Sequence, residues 1–239
     1  MVMRNHVRSS LFLVALAVLA FSIGTNAVCQ STVSQTTGNG TYSATDPLAN
    51  VRYDNRYDVS VGLAYDHIKA GPNVLQGANL GGLDLSASYW FSKRWAVEGS
   101  GRYYLGTSGV GQPNANNIRG PFVSEQFFVA GPEWLGPHNK HGALSAHVLA
   151  GGAHFDSHTG LITNPAPGAA GANFYNNQIA PAAIVGGHID LNRSAHWVLR
   201  VTPDAVMTHY GINYGSKISQ FDVNFAISVG VEYKFKKKR

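Results

Sequence analysis

The chain has a single cysteine, Cys29, among 239 residues, so no internal disulfide can hold it together. Charge is scarce as well. Asp, Glu, Lys and Arg make up 13% of the residues, against about a quarter in typical globular domains, so something other than a charged surface covers much of the protein. Long apolar runs are nearly absent. The one from Leu11 to Ile23 spans about thirteen residues, short of the roughly 20 a membrane-crossing helix needs. No GxSxG motif is present, and the Gly106–Gly111 stretch follows no βαβ pattern, which excludes a phosphate-cradling loop. The ten histidines, His138, His141, His147 and His154 among them, show no recognisable zinc spacing, so no metal ligands are assigned. The net charge of +5 is not arranged as a basic stripe interleaved with aromatics, which argues against nucleic acid as a partner.

Regular alternation is abundant. From Phe221 to Phe235 every odd position is apolar: Phe221, Val223, Phe225, Ile227, Val229, Val231, Tyr233 and Phe235. The even positions are small or polar. A strand sends successive side chains to opposite faces, so this one has a greasy face and a wet face. Strands of soluble proteins usually run about five or six residues, whereas a tilted strand crossing a bilayer needs roughly nine to eleven. Similar alternation runs over Val59–Tyr65, Leu83–Phe91, Trp95–Leu105, Ile179–Leu191 and Trp197–Met207, with weaker segments at Pro121–Ala130 and Gly142–Phe155. The count of about eight is the smallest seen in transmembrane barrels. In Pro121–Ala130 the phase is open, because Glu125 asks for an inward odd face while Val123, Phe127 and Val129 on that face ask for the reverse. A near-neutral mean hydropathy of -0.08 does not oppose a barrel, since only alternate strand residues must be apolar.

Connections alternate in length. Ser92–Arg94 and Asn192–Ala195 are short, and Gly131–His141 falls on the same side although longer. Ala70–Leu80, Gly106–Gly120, Asp156–Asn177 and Tyr210–Gln220 are long and rich in Gly, Asn and Pro. An up-and-down meander then places Trp90, Trp95, Trp134, Trp197, Tyr233 and Phe235 at one end, as half of an aromatic girdle. Tyr103, Tyr104, Phe155, Tyr210 and Phe221 are candidates for the other rim.

The N-terminus has the form of a secretory signal peptide. Arg4 and Arg8 precede the apolar run, and Thr25-Asn26-Ala27 supplies a cleavage site after Ala27; lipidation at Cys29 is the alternative, opposed by bulky Val28. The expected organisation is a signal peptide at 1–27, a flexible polar leader at 28–56 that could also lie against the barrel mouth, a barrel at 57–235 and a basic tail at 236–239.

An exported chain of about eight alternating strands, ending in Tyr233-Lys234-Phe235, resembles the bacterial outer-membrane β-barrel domains of the OmpA-like and opacity-type surface proteins. The resemblance covers roughly 57–235 and departs from the pattern in carrying Lys236–Arg239 after the last aromatic. It implies an all-β, eight-stranded antiparallel transmembrane barrel in the cell outer membrane. It also implies outer-membrane lipid and lipopolysaccharide as surroundings, the barrel-insertion machinery as a partner during assembly, and no cofactor.

If the odd face of the last strand meets lipid through Phe225, Ile227, Val229 and Val231, the interior receives Asp84, Glu98, Arg102, Arg200, Asp204, Glu232 and Lys234, in near balance of sign. Charges taken from water must be paired, so an ion-pair network is expected, with Arg102 and Arg200 each bridging carboxylates on neighbouring strands. An eight-stranded barrel is just wide enough for side chains to fill, which favours a closed lumen over a pore for small solutes. The favoured role is structural or surface contact, without catalysis, with the 156–177 loop as the site for an extracellular partner. Two alternatives compete. A secreted lipocalin-like barrel would turn the apolar stripe inward around a ligand. A lipid A-modifying enzyme would use a rim pair such as His154, Ser157 or His158 beside Asp156, and would need a base within reach of its nucleophile.

Overall fold

The computed structural model describes residues 46–69, 77–108, 122–158, 175, 177–214 and 216–235. The expected signal peptide at 1–27, Cys29, the first part of the expected leader, the 236–239 tail and most of the 156–177 loop lie outside the described residues. Eight strands follow in order: β1 (Tyr57–Ile68), β2 (Ala78–Trp90), β3 (Trp95–Thr107), β4 (Phe122–His138), β5 (Gly142–His158), β6 (Gln178–Asn192), β7 (Trp197–Tyr214) and β8 (Ser216–Phe235). Each pairs antiparallel with the next, and β8 closes on β1 through the register Tyr57↔Phe235 to His67↔Phe225. No edge is left open, which is the condition for strands to span a bilayer.

The alternation of the sequence becomes alternation of exposure. Val59, Val61, Leu63, Leu83, Leu85, Val97, Val148, Val185, Phe225, Val229 and Val231 point outward, and Leu63 keeps 72% of its surface uncovered. Ile227 shares that outer face. Asp84, Glu98, Arg102, Arg200, Asp204, Glu232 and Lys234 are buried inside the cylinder. The apolar face therefore lies outside and the ionic one inside, the reverse of a lipocalin-like barrel. This is a transmembrane β-barrel.

Of four points in the sequence reading, the phase of 121–130 and the place of the leader were open, and the Gly131–His141 link and the Tyr210–Gln220 loop are corrected. In β4, Val123, Glu125, Phe127 and Val129 all point inward, while Phe122 and Phe128 face out. The register with β3 runs unbroken through this stretch, so the carboxyl group decides the phase and the apolar residues follow it inside. The expected link Gly131–His141 is largely strand: β4 continues to His138, and Trp134 sits in the β3–β4 ladder opposite Trp95. Pro132 and Pro137 hide it in the sequence, and the register slips only between Leu135 and His138. The expected loop Tyr210–Gln220 is a hairpin whose ladder reaches Tyr214↔Ser216, past the ends of pairing with β6 and β1. The leader is not wholly detached, because residues 46–56 pack at the barrel mouth through contacts described below.

The three short turns share one device. Ser92 Oγ accepts hydrogen bonds from the backbone N–H groups of Arg94 and Trp95, Asn139 Oδ1 from His141 and Gly142, and Ser194 Oγ from His196 and Trp197. A side-chain oxygen thus replaces a backbone acceptor at the start of the following strand.

Around this end the outer face is aromatic. Trp95, Trp197 and Phe235 are exposed, Trp95 pairs with Trp134, Trp197 with Tyr233, and Tyr57 with both Tyr89 and Phe235. Trp90 does not join them. It falls on the inward phase of β2, and its Nε1 donates to Asp58 Oδ2 at 2.5 Å. At the long-loop end Tyr103 and Phe221 face outward, while Tyr104, Phe155 and Tyr210 turn into the barrel because the phase of their strands points there.

Val229 lies midway along the membrane-facing part of β8, between Leu63 and Val201 in the ladders, with 48% of its surface exposed. Replacing it with Arg should cost about 2 to 4 kcal/mol of folding free energy in lipid vesicles, measured by urea-dependent refolding. A change near zero would show that this face does not meet hydrocarbon.

Candidate functional site

The barrel interior divides into two regions of different chemistry. Toward the long loops it is apolar and aromatic. Ile68, Leu80, Val123, Phe127, Leu149, Phe155, Ile184 and Val206 form one buried cluster with Tyr104, Tyr175 and Tyr210. Phe155 meets Tyr175 edge-on at 5.8 Å and Tyr210 at 5.1 Å, and Tyr104 meets Phe127 edge-on at 6.0 Å. The phenols supply the polar connections, Tyr210 to Glu125 and Tyr175 to Asp222.

Toward the short turns the interior is ionic. Arg200 on β7 forms a two-pronged pair with Asp190 on β6, at 2.8 and 3.0 Å, and reaches Glu232 on β8 at 3.1 Å. Such parallel contacts suit the flat guanidinium fork. Lys234 Nζ lies 3.9 Å from Glu232 and 4.4 Å from the centre of the Tyr53 ring. Deeper in, Arg102 on β3 lies 2.6 Å from Asp204 on β7, an ion pair by distance though off the line of a hydrogen bond, and 3.6 Å from Asp84 on β2. Asp84 also accepts from Ser100 and Ser228. Arg200 thus bridges neighbouring strands, whereas Arg102 reaches across the lumen to a strand that is not its neighbour.

Between the two arginine clusters lie residues that the sequence reading did not assign. His147 on β5 contacts Asp204 Oδ1 through Nε2 at 2.9 Å and Glu98 Oε2 through Nδ1 at 2.8 Å. His188 on β6 contacts the same Glu98 oxygen through Nε2 at 3.2 Å and Thr202 Oγ1 through Nδ1 at 2.9 Å. Glu133 accepts from Ser88 and Ser145 and lies 3.8 Å from His188 Nε2. The sequence carried a signal for some of these. His188 and Asp190 alternate with the outward Val185, Gly187 and Ile189, so their inward phase was readable.

The expectation of near balance in sign is corrected by these additions. In the short-turn half, Asp58, Asp84, Glu98, Glu133, Asp190, Asp204 and Glu232 are buried against Arg102, Arg200 and Lys234. Seven carboxyl groups face three permanent cations, with His147 and His188 among them.

The mouth of this half is capped by chain preceding β1. Tyr53 donates its hydroxyl hydrogen to Asn139 O at 3.0 Å and accepts from Asn192 Nδ2 at 2.7 Å, and its ring meets His138 at 4.5 Å. Burial pushes its phenol pKa up, against the pull of the Asn192 hydrogen bond. The exposed Asp46 carboxyl is held below its usual range, first by the backbone N–H of Leu48 and then by Lys140. Beneath Tyr53 a cavity of about 20 Å³, bordered by Asp58, Trp90, Glu133, Arg200 and Glu232, has room for about one water.

Among the described residues the candidate rim chemistry does not assemble. His154 and Ser157 are three apart on β5, which sends them to opposite faces; Ser157 is buried, and its backbone N–H donates to Asn177. The side chain of His158 lies outside the described residues.

No family model and no curated protein sequence matches the chain. Among solved structures it is similar to Ail, the attachment invasion locus protein of Yersinia pestis, at 18% identity, over 76% of this chain and 99% of that one, with a TM-score of 0.44. It is similar to Neisserial surface protein A at 12% identity, over 75% and 97%, with a TM-score of 0.45. The outer membrane protein OprG from Pseudomonas aeruginosa gives 12% identity, over 80% and 100%, with a TM-score of 0.45.

Removing one partner from a buried charge cluster leaves the others uncompensated. Arg200→Met should therefore destabilise the barrel by about 3 to 5 kcal/mol in detergent unfolding, because Asp190 loses its two-pronged partner and Glu232 the nearer of its two cations. A loss below 1 kcal/mol would mean that Arg200 contributes packing rather than charge.

Proposed function

We propose that this chain is an outer-membrane barrel with a structural or surface-contact role, its lumen closed by a network of ion pairs, and with no catalytic chemistry. It is exported with a cleaved signal peptide, is inserted by the barrel-assembly machinery, and sits among outer-membrane lipid and lipopolysaccharide. The short-turn end, with its Trp and Tyr girdle, faces the periplasm. The long connections face outward, and the one beyond Asp156 is the contact site for an extracellular partner.

The observation that carries this reading is the filling of the interior from both ends. Arg102, Arg200 and their carboxylates occupy one half, and packed aromatic rings occupy the other. Such a lumen leaves the outer belt and the loops as the surfaces through which the protein meets its surroundings.

Two measurements test the proposal. After expression in a Gram-negative host, the protein should fractionate with the outer membrane and need detergent for release; recovery in a soluble fraction would overturn the location. In planar bilayers the purified barrel should give no steady single-channel steps. Large, stable steps would overturn the closed lumen.

A further inference from the structure

We propose that Glu98, His147 and His188 form a binding site for one divalent metal ion of the zinc type inside the barrel. The site would tie β3, β5 and β6 together across the lumen.

The geometry points there first. Glu98 Oε2, His147 Nδ1 and His188 Nε2 form a triangle with sides of 2.8, 3.2 and 3.3 Å. Zinc bonds to nitrogen and carboxylate oxygen are about 2.0 to 2.1 Å, and tetrahedral ligands at that distance sit roughly 3.3 Å apart. The three atoms are therefore spaced as neighbouring ligands of one small ion. Two imidazole nitrogens and one carboxylate oxygen are a donor set that suits zinc, and three protein ligands leave a fourth position for water. Without an ion, two ring nitrogens 3.3 Å apart both aim at a single oxygen.

The supporting residues match what metal-bound histidines require. A ligating imidazole normally gives its other N–H to a carboxylate or hydroxyl, which fixes tautomer and ring orientation. His147 has Asp204 Oδ1 on Nε2, and His188 has Thr202 Oγ1 on Nδ1. The two histidines would therefore bind through opposite nitrogens, His147 through Nδ1 and His188 through Nε2. Thr202 can reach His188 because the register that gives Gly186↔Asp204 and Ile189↔Val201 sets the two residues opposite each other on β6 and β7, both facing inward.

Two further observations point to a cation. Glu98 is fully buried, yet its second oxygen, Oε1, has no hydrogen-bond partner. The surrounding half of the lumen carries seven buried carboxyl groups against three permanent cations, and a dication reduces that excess directly. The small cavity at the mouth reaches Glu133, which lies 3.8 Å from His188 Nε2.

The test uses untagged barrel refolded in detergent, stripped with EDTA and titrated with zinc chloride or cobalt(II) chloride. One equivalent should bind per chain, cobalt should give the visible absorption of a low-coordinate site, and zinc should raise the unfolding temperature. His188→Ala should abolish all three responses, and exposed His209→Asn should leave them intact. Thr202→Val keeps every ligand and should weaken zinc binding about 10- to 100-fold. Should His188→Ala fail to fold, the wild-type protein still decides the matter. Histidine ¹⁵N spectra with zinc should show one ring metallated at Nδ1 and another at Nε2. Zinc held by surface histidines only, no equivalent of zinc retained, or tautomers unchanged by zinc would each overturn the site and leave a cluster joined by protons alone.

Discussion

Closure of the backbone is the constraint on which everything else in this molecule depends. In hydrocarbon an unpaired peptide group costs several kcal/mol, so a spanning sheet must bond its last strand to its first. Here β8 does so along eleven consecutive pairs with β1. Once eight strands are closed, the cylinder is only as wide as two facing layers of side chains. Every inward residue must then find its partner among the others. The outward residues need no partner, because lipid accepts any apolar shape. This explains why the outer belt mixes Val, Leu, Ile, Phe and Ala freely, while the interior is a set of specific contacts.

Inside, the same confinement is met by two different chemistries. In the long-loop half, rings and branched aliphatic groups fill space, and isolated polar groups such as Glu125 are held by a phenol. In the short-turn half, guanidinium, carboxylate and imidazole groups hold one another. Arg102 and Asp204 join opposite walls, whereas Arg200, Asp190 and Glu232 join adjacent strands. The first kind of contact braces the cross-section, and the second reinforces a ladder that backbone hydrogen bonds already hold. His147 belongs to the bracing kind, because Glu98 and Asp204 lie on strands that do not neighbour each other.

The closed topology and the outer belt were legible in the sequence because a period of two needs no knowledge of neighbours. Val229 and Phe225 announce their face from the local pattern alone. The interior was legible only in part, for a physical reason. Phase tells that Arg200 points inward, but not that Asp190 is its strongest partner, since partners depend on register between strands. In β4 the local pattern contradicted itself, and only the cost of placing Glu125 in lipid resolved it, carrying Phe127 and Val123 inward. Trp90 shows the same limit. A tryptophan near a turn suits a girdle, yet its parity on β2 hands its indole N–H to Asp58 within the mouth. Pro132 and Pro137 obscured the end of β4 because proline usually marks a break, and here Pro132 keeps its place opposite Val97 while Pro137 sits at the slip, past which pairing resumes at His138↔Ala143.

The uneven distribution of charge follows from these same limits and bears on how the barrel is held. A lumen with three fixed cations cannot neutralise seven carboxylates through ion pairs alone, and hydrogen bonds from serine stabilise a carboxylate without cancelling its charge. The two histidines stand where the excess is greatest, between Glu98, Asp204 and Glu133. Imidazole is the one side chain there that becomes a cation by taking a proton, and it can instead hold a metal ion with little change of position. Either occupant supplies positive charge at the point where β3, β5, β6 and β7 converge. Tyr53 and the chain before β1 seal that end from solvent, so the charge held there meets a low dielectric and binds the walls more strongly than it would in an open channel.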